Sequence, residues 1–502
     1  MSGLTPYIIF VSFAIVLGSF QFGYHVILFF IILIAIGELN TPQAVMSCEG
    51  VKEPSQETQE YLPPCIKMNA AQFAFVTSVF TLGGLLGSLF ASRVADSKGR
   101  RDTLILNGGF LGLGPLVMGF APNITALVIG RFLAGIGCGV VTVVVPTYLA
   151  EISTVEFRGT FGVMNQLGVV CGILFSQVEG LYLSTLSGWR LILFGGFILA
   201  LFQTILLWFS VESPRFLASK PGGYNAAKRA LQKLRGSNEV DEELSGWRQV
   251  ASEEGLEGLI SEEEREHQNN EEIVRESPAV VFHARNSDEN FNVWKLIKNP
   301  QYFPALKVLI LVHLTQQLSG VNGVMFYSTS ILAKILPGMS DLVTVFISIV
   351  NVMMTVVSAY LIDKSGRRTL LLASSLFMSI SSAILALSIN NNYGFLSAIS
   401  IIGFIASFAI GLGPVPFLII PEIFDTQAVA TAASLGLTLN WSASFFVGFI
   451  FPIVNEMIGG SIFLIFAAYL FVAYLAIKHL VPETKAKSVE EVWRGWTGMV
   501  IE

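Results

Sequence analysis

The chain has 502 residues, 53% of them hydrophobic and only 13% charged, with a mean hydropathy of +0.65. Soluble domains carry about 25% charged residues, so this composition excludes an ordinary soluble protein and fits a polytopic membrane protein. The net charge of −6 comes with acids gathered in one polar segment, which leaves no basic face for nucleic acid.

The first apolar run starts just behind Met1. It is too long for the core of a cleavable signal peptide and lacks a small-residue cleavage site, so it reads as a first spanning helix over 7–37. A polar loop follows, with Cys48 and Cys65 among acids and prolines. Further spans are predicted at 70–92, 103–121, 125–150, 160–183 and 189–211. After a polar stretch come 303–333, 340–362, 369–389, 394–420, 427–455 and 460–481. A hydrocarbon core of about 30 Å takes about 20 helical residues. The polar stretch includes "SEEEREHQNNEE" at 261–272 and reads as solvated helix or disorder. The predicted fold class is an all-α polytopic membrane protein with twelve transmembrane helices in two six-helix halves. Its parts are an N-terminal half, 1–211, a cytoplasmic central segment, 212–300, a C-terminal half, 301–481, and a short cytoplasmic tail, 482–502.

Orientation follows from the short loops. Arg93, Lys98, Arg100 and Arg101 lie between the second and third spans; Lys364, Arg367 and Arg368 lie between the eighth and ninth. Positive loops stay cytoplasmic, which puts both termini there. The loop holding Cys48 and Cys65 then faces the other side. A disulfide between them is expected if that side is oxidising, with two free thiols as the alternative. Asn123-Ile124-Thr125 is a glycosylation sequon on the same side, in a very short loop. Cys138 and Cys171 sit in apolar spans as small packing residues.

The hexapeptide "DSKGRR" at 96–101 returns as "DKSGRR" at 363–368, each after the second span of its half. The halves are therefore an internal repeat about an axis along the membrane normal, with a substrate site expected between them near the midplane. Arg100, Arg101, Arg158, Arg215, Arg367 and Arg368 have Glu151, Glu212, Glu422 and Glu483 as candidate partners. Arg–carboxylate pairs suit a breakable latch joining the cytoplasmic ends in one state. The plain alternative is topology-setting surface charge, worth well under ~1 kcal/mol per pair.

Gln316, Gln317 and Asn322 lie in the apolar seventh span, "QQLSGVNG". Polar groups at that depth need partners or a water-filled cavity. Adjacent Gln316 and Gln317 point about 100° apart on a helix, and Asn322 shares one broad face with Gln316. Amides donate and accept, as sugar hydroxyls do; interhelical glue is the competing role. Glycines 83, 84 and 87, and 135, 137 and 139, permit close helix approach. The second set has neither a preceding strand nor the spacing of a nucleotide-binding turn. Pro414 and Pro416 break backbone bonding in the tenth span, which suits a hinge or a fixed kink. No nucleophile–base pair or metal-ligand spacing stands out, so an enzyme, a metal site and a cofactor are not expected.

The ordered motifs "GRF" (130–132), "PTYLAEIS" with "RG" (146–159), "ESPRFL" (212–217), "QQLSGVNGVMFY" (316–327), "GPVPF" (413–417) and "VPETK" (481–485), with the two hexapeptides, resemble the sugar porters of the major facilitator superfamily over nearly the whole chain. "FQFGYH" and "ELN-PQ" are strings of fungal members. The resemblance implies transport of a sugar or polyol by alternating access, facilitative or proton-coupled, in a plasma or vacuolar membrane. Its partners would be that substrate, the bilayer and, if coupled, protons. A sugar-binding sensor with little flux is the alternative; known sensors carry long tails, and the tail here is short. The family's sugar-contacting positions fall on Gln166, Gln316, Gln317, Asn322 and Asn351. Trp441 offers a flat face for a sugar ring.

The pattern also breaks. The family's Glu and Trp around the "GP" of span ten are Ala409 and Phe417 here. Its Asn after the Trp of span eleven is Ser444, and its Arg after span ten is Val429. D-glucose is therefore doubted as substrate. Proton-coupled members place Asp after "FGY", near the Arg of "GRF", and facilitators often Asn. This chain has His25 and Arg131, the coupling candidates, with a neutral, hydrogen-bonded His25 as the alternative to a proton carrier. His313 and His479 are expected to be packing or interfacial residues. Between Tyr24 and Pro42 lie about ten residues more than the family pattern. The stretch around Val26 to Ala35 is read as a gene-model error sooner than as a functional insertion.

Overall fold

The computed structural model describes residues 5–34, 62–63, 66–154, 157–183, 188–220, 222–241, 243–244, 293–325, 339–425, 428–485 and 487–498. Cys48, Cys65, the 261–272 stretch and the side chain of Arg158 lie outside what is described. Among the described residues are twelve long helices. The first six are α1 Pro6–Ile34, α2 Ala70–Lys98, α3 Arg100–Gly119, α4 Ile124–Ile152, α5 Arg158–Leu183 and α6 Trp189–Trp208. The second six are α7 Phe303–Leu318, α8 Ser340–Ser365, α9 Arg367–Asn390, α10 Gly394–Ile410, α11 Val429–Ile458 and α12 Ile462–Leu480. They answer to the twelve predicted spans. Exposed apolar side chains such as Ile198, Phe377, Phe395 and Val472 cover the outside. A hydrocarbon surround is the medium in which that surface and its self-satisfied helical backbone are stable.

Local chemistry sets the helix ends. Asn69 and Gln72 form a reciprocal capping box before α2. Asn123, the sequon asparagine, accepts the Ala126 N–H at 3.0 Å and so starts α4. Inside the bundle α2 and α4 touch backbone to backbone. A Cβ on Gly83 would lie 2.2 Å from the Phe132 carbonyl, and one on Gly135 2.1 Å from that of Phe80. The glycine stripes thus serve close approach, as predicted.

The two halves repeat one packing scheme. α3 lies on α4 and α6 in the first half, and α9 on α10 and α12 in the second. Between the halves, α2 packs on α11 and α5 on α8. Two of the predicted spans are broken, the seventh unexpectedly and the tenth at the Pro414 and Pro416 stretch where backbone bonding is expected to fail. α7 stops at Leu318 and resumes at Val321 after Ser319–Gly320, with Gly320 at φ +86°. α10 stops at Ile410 before Gly411–Pro414, and short helical pieces follow at Val415–Leu418 and Ile420–Ile423. The first break corrects the reading of Gln316 to Asn322 as one helical face.

Candidate functional site

Both breaks face the same cluster. The break in α10 frees the carbonyl of Gly413, and Gln316 of α7 donates to it through Nε2 at 2.8 Å. Irregular backbone at membrane depth is satisfied this way by a neighbouring side chain. Gln316 Oε1 accepts from Nδ2 of Asn440 on α11 at 2.5 Å, and Asn440 Oδ1 accepts from Gln317 Nε2 at 3.0 Å. The break in α7 turns Asn322 back on Gln317, so that Asn322 Nδ2 reaches Gln317 Oε1 at 2.6 Å and Ser444 Oγ at 2.8 Å. One chain of amides and a hydroxyl therefore links α7, α10 and α11.

Trp441 follows Asn440 and turns towards the other half. Its ring meets Phe22 of α1 and Phe80 of α2 edge-on, at centroid distances of 5.8 and 6.3 Å. It lies against Gly84, where a Cβ would sit 2.6 Å from the indole. The indole N–H is buried without a hydrogen-bond partner. Asn351 is buried on α8, and Gln166 is half-buried on α5. Gln177 of α5 accepts from Ser348 of α8 across the halves at 2.9 Å. The structure thus gathers Gln316, Gln317 and Asn322 into one network and sets Trp441 at the interface of the halves. Asn351 and Gln166 join no hydrogen bond of that network.

Sequence reasoning missed Asn440, Gln177 and the Gly413 carbonyl. Asn440 stands beside Trp441 in "NWS", and a polar residue at that depth was the available signal. Pro414 and Pro416 announce a break in α10, but packing decides that the carbonyl Gln316 meets there is that of Gly413.

His25 is fully buried on α1, its ring edge-on to Tyr24 at 5.6 Å and against Gly196 of α6. Neither ring nitrogen has a hydrogen-bond partner, unlike the hydrogen-bonded ring expected. Arg131 reaches the His25 backbone carbonyl through Nη1 at 2.8 Å and stacks over Phe80 at 4.6 Å. The coupling candidates therefore meet through backbone. His313 is buried with its ring edge-on to Phe417, a packing position, and His479 is exposed at the end of α12.

The charged hexapeptides each begin a helix. Arg100 pairs with Glu151 at 3.0 Å and Asp96 at 3.3 Å; Arg367 pairs with Glu422 at 2.7 Å. Glu212 accepts from the backbone N–H groups of Arg100, Arg101 and Asp102, and Glu483 from that of Arg367. Burial pushes the Glu212 carboxyl up from its ordinary pKa, while these N–H groups favour its charge. Arg101 and Arg368 bind the closing carbonyls of α6 and α12. Each of these contacts joins elements of one half. In this structure the expected latch is a staple within each half, and a latch across the halves needs these groups to exchange partners. Arg215 lies in the short helix Pro214–Ala218 beside Glu212.

The family model described as "Sugar (and other) transporter" matches residues 11–496. A "Probable metabolite transport protein" of Saccharomyces cerevisiae is 35% identical over 506 residues, 98% of this chain and 96% of its own. The facilitated glucose transporter member 3 of solute carrier family 2 from Ovis aries is 31% identical over 508 residues, covering 99% and 94%. The inward open xylose transporter XylE of E. coli superposes with a TM-score of 0.73 at 22% identity, covering 97% of this chain and 99% of that one. Its partially occluded inward open form gives 0.72, covering 96% and 100%.

Proposed function

The chain belongs to the sugar (and other) transporter family, and on that premise we propose that it carries a sugar or polyol across a membrane by alternating access of its two halves. The observation that carries this reading is the network of Gln316, Gln317, Asn322, Asn440 and Ser444. Its members are neutral and both donate and accept, and they bridge two broken or interface helices. A polyhydroxylated ligand can replace these contacts one for one, hydroxyl for amide. Trp441, packed on α1 and α2, supports a role in closing the path between the halves. The basic starts of α3 and α9 support a cytoplasmic location for those ends and for both termini.

Purified protein in liposomes, offered a panel of sugars and polyols with and without a pH gradient, tests the reading. Uptake of a panel member is expected; binding without flux would favour a sensor instead. Gln317→Ala and Asn322→Ala each remove a neutral hydrogen bond, worth on the order of 1 kcal/mol or about fivefold in affinity. Unchanged affinity in both variants would remove the site assignment.

A further inference from the structure

The structure holds a carboxyl group that neither the sugar site nor the arginine corners use. Glu179 lies on α5 within the span Phe161–Leu183. An ionisable side chain inside a span marks a functional site by default, with its partner to be named. The partner is Tyr24 of α1, itself fully buried. Tyr24 Oη is 2.6 Å from Glu179 Oε2 and 2.6 Å from the carbonyl oxygen of Ile192 on α6. Gly195 of α6 leaves room for this row of oxygens. A Cβ on Gly195 would lie 2.9 Å from Tyr24 Oη and 3.3 Å from Glu179 Oε1.

Counting protons bears on the state of Glu179. Each oxygen–oxygen contact of this length needs a hydrogen between the two atoms. A phenol carries one, and a carbonyl or carboxylate carries none. The single Tyr24 proton serves one contact in full, and a proton on Glu179 would supply the other. Tyr24 Oη has both oxygens as acceptors; with Glu179 protonated, the carboxyl donates to Tyr24 Oη and the Tyr24 proton is left for Ile192. We propose that Glu179, with Tyr24, is a proton-binding site of this transporter, occupied in the state seen here. This deepens the proposed transport function and rests on it.

The surroundings favour a neutral group. α1 contributes Tyr24 and, behind it, His25. On α4 Arg131 is engaged with the His25 carbonyl and Phe80. On α6 Arg190 is engaged with the carbonyls of Pro63, Gly119 and Ala121. α8 carries its ionisable groups at its two ends, Asp341 at one and Tyr360, Asp363 and Lys364 at the other. Among the described residues no cation pairs with Glu179.

Position links the proton to movement. Gln177, two residues earlier on α5, bonds Ser348 of the other half. α5 is thus held on one side to the opposite half and on the other, through Glu179, to α1 and α6. When the halves rock and α5 shifts, the oxygen row parts. Glu179 then releases its proton to water, and the Tyr24 hydroxyl keeps its own proton and its hydrogen bond to the Ile192 carbonyl.

Infrared difference spectroscopy of the purified full chain in liposomes, between neutral and alkaline pH, reads this without any sugar. A carboxylic-acid carbonyl band that disappears on alkalinisation is expected in the wild type and absent in Glu179→Gln. Tyr24→Phe should keep the band and shift its frequency, because the carboxyl loses its acceptor. The same band in wild type and Glu179→Gln, or no effect of Tyr24→Phe on it, overturns the site. With D-xylose and D-glucose as probes, the ratio of uptake with and without an inward proton gradient should exceed one in the wild type and fall to one in Glu179→Gln. A gradient effect that survives in Glu179→Gln overturns the coupling. If neither sugar moves in the wild type, the choice of substrate fails while the infrared result still decides the proton site.

Discussion

At the corner between α2 and α3, Arg100 returns to the Ala95 carbonyl at 3.1 Å and reaches Glu151. At the corner between α8 and α9, Arg367 returns to the Ile362 carbonyl at 3.0 Å and reaches Glu422. The second arginine of each hexapeptide closes on the end of the last helix of its half, Arg101 on Leu207 and Trp208, Arg368 on Lys478. The carboxylates differ. Glu212 uses both oxygens, Oε1 towards the N–H groups of Arg100, Arg101 and Ser213, and Oε2 towards those of Arg101 and Asp102. Glu483 uses Oε1 alone, for Arg367 and for Thr484 and Lys485 of its own segment. Glu422 has a second donor in the Thr484 hydroxyl at 2.5 Å; Glu151 has Arg100. Equal motifs thus give one corner anchored on a helix N-terminus and another shared with the C-terminal segment, which also docks through Trp493 on the Ile423 carbonyl. Repetition in sequence fixes the frame of a corner, and the segment that follows the last helix sets how firmly its acid is held.

The hardest test of that comparison removes the space for the acids. Gly99 has φ +102° and ψ 166°, and Gly366 has φ +84° and ψ 162°, a region that glycine occupies almost alone. A Cβ would lie 2.3 Å from Glu212 Oε2 or 2.4 Å from Glu483 Oε2. Backbone strain alone costs about 1–3 kcal/mol. Gly99→Ala should lower the melting temperature of the purified protein more than Gly366→Ala, because Glu212 cannot withdraw without giving up contacts at both oxygens. Equal losses would cancel the asymmetry. A smaller effect is expected from the arginines. The Arg100 and Arg367 side chains are 15% and 17% exposed, so removing one falls between the ~1 kcal/mol of an exposed pair and the ~3–5 kcal/mol of a buried one. Arg100→Ala leaves Glu151 without its partner, whereas Arg367→Ala leaves Glu422 the Thr484 hydroxyl. Arg100→Ala should therefore be the more destabilising in the same melting experiment, and the reverse order would remove the difference assigned to Thr484.

The sequence announced this frame and hid its detail, for reasons that particular residues make plain. Apolar runs of helical length and the doubled hexapeptide carry the twelve helices and their two-fold plan, because bilayer thickness and charge placement act on every residue of a span. Gln316, Gln317 and Asn322 were legible as costly polar groups at depth. Their partners were not, since the pairing depends on where α7 and α10 unwind. Gly320 at positive φ and the open Gly411–Pro414 turn make those breaks through tertiary packing, with the Phe466 ring filling the space where a Gly320 side chain would stand. Reading α7 as continuous put Asn322 on the face of Gln316, and the break puts it on Gln317. Glu179 went unremarked because a single acid near a span end looks like an interfacial charge until Tyr24 and Gly195 are brought against it.

The finest distinction between the corners lies in one atom. Glutamine keeps one carboxylate oxygen and turns the other into an NH₂ group. At Glu483 the amide nitrogen can take the Oε2 position, which accepts no hydrogen bond among the described residues, and the three N–H groups keep their oxygen. Glu483→Gln should then cost below about 1 kcal/mol, the helix-terminus charge effect alone. At Glu212 both oxygens face N–H groups. Glu212→Gln, with its NH₂ at the Oε2 position, keeps Arg100, Arg101 and Ser213 on oxygen but sets a donor against the Asp102 N–H and the second Arg101 contact, a loss of about 0.5–1.5 kcal/mol. The two variants should separate by a measurable step in melting temperature, with Glu212→Gln the lower. If they fall together, the negative charge at the helix N-terminus, and not the number of N–H groups it gathers, is what both acids supply, and the corners are equivalent in energy despite their different geometry.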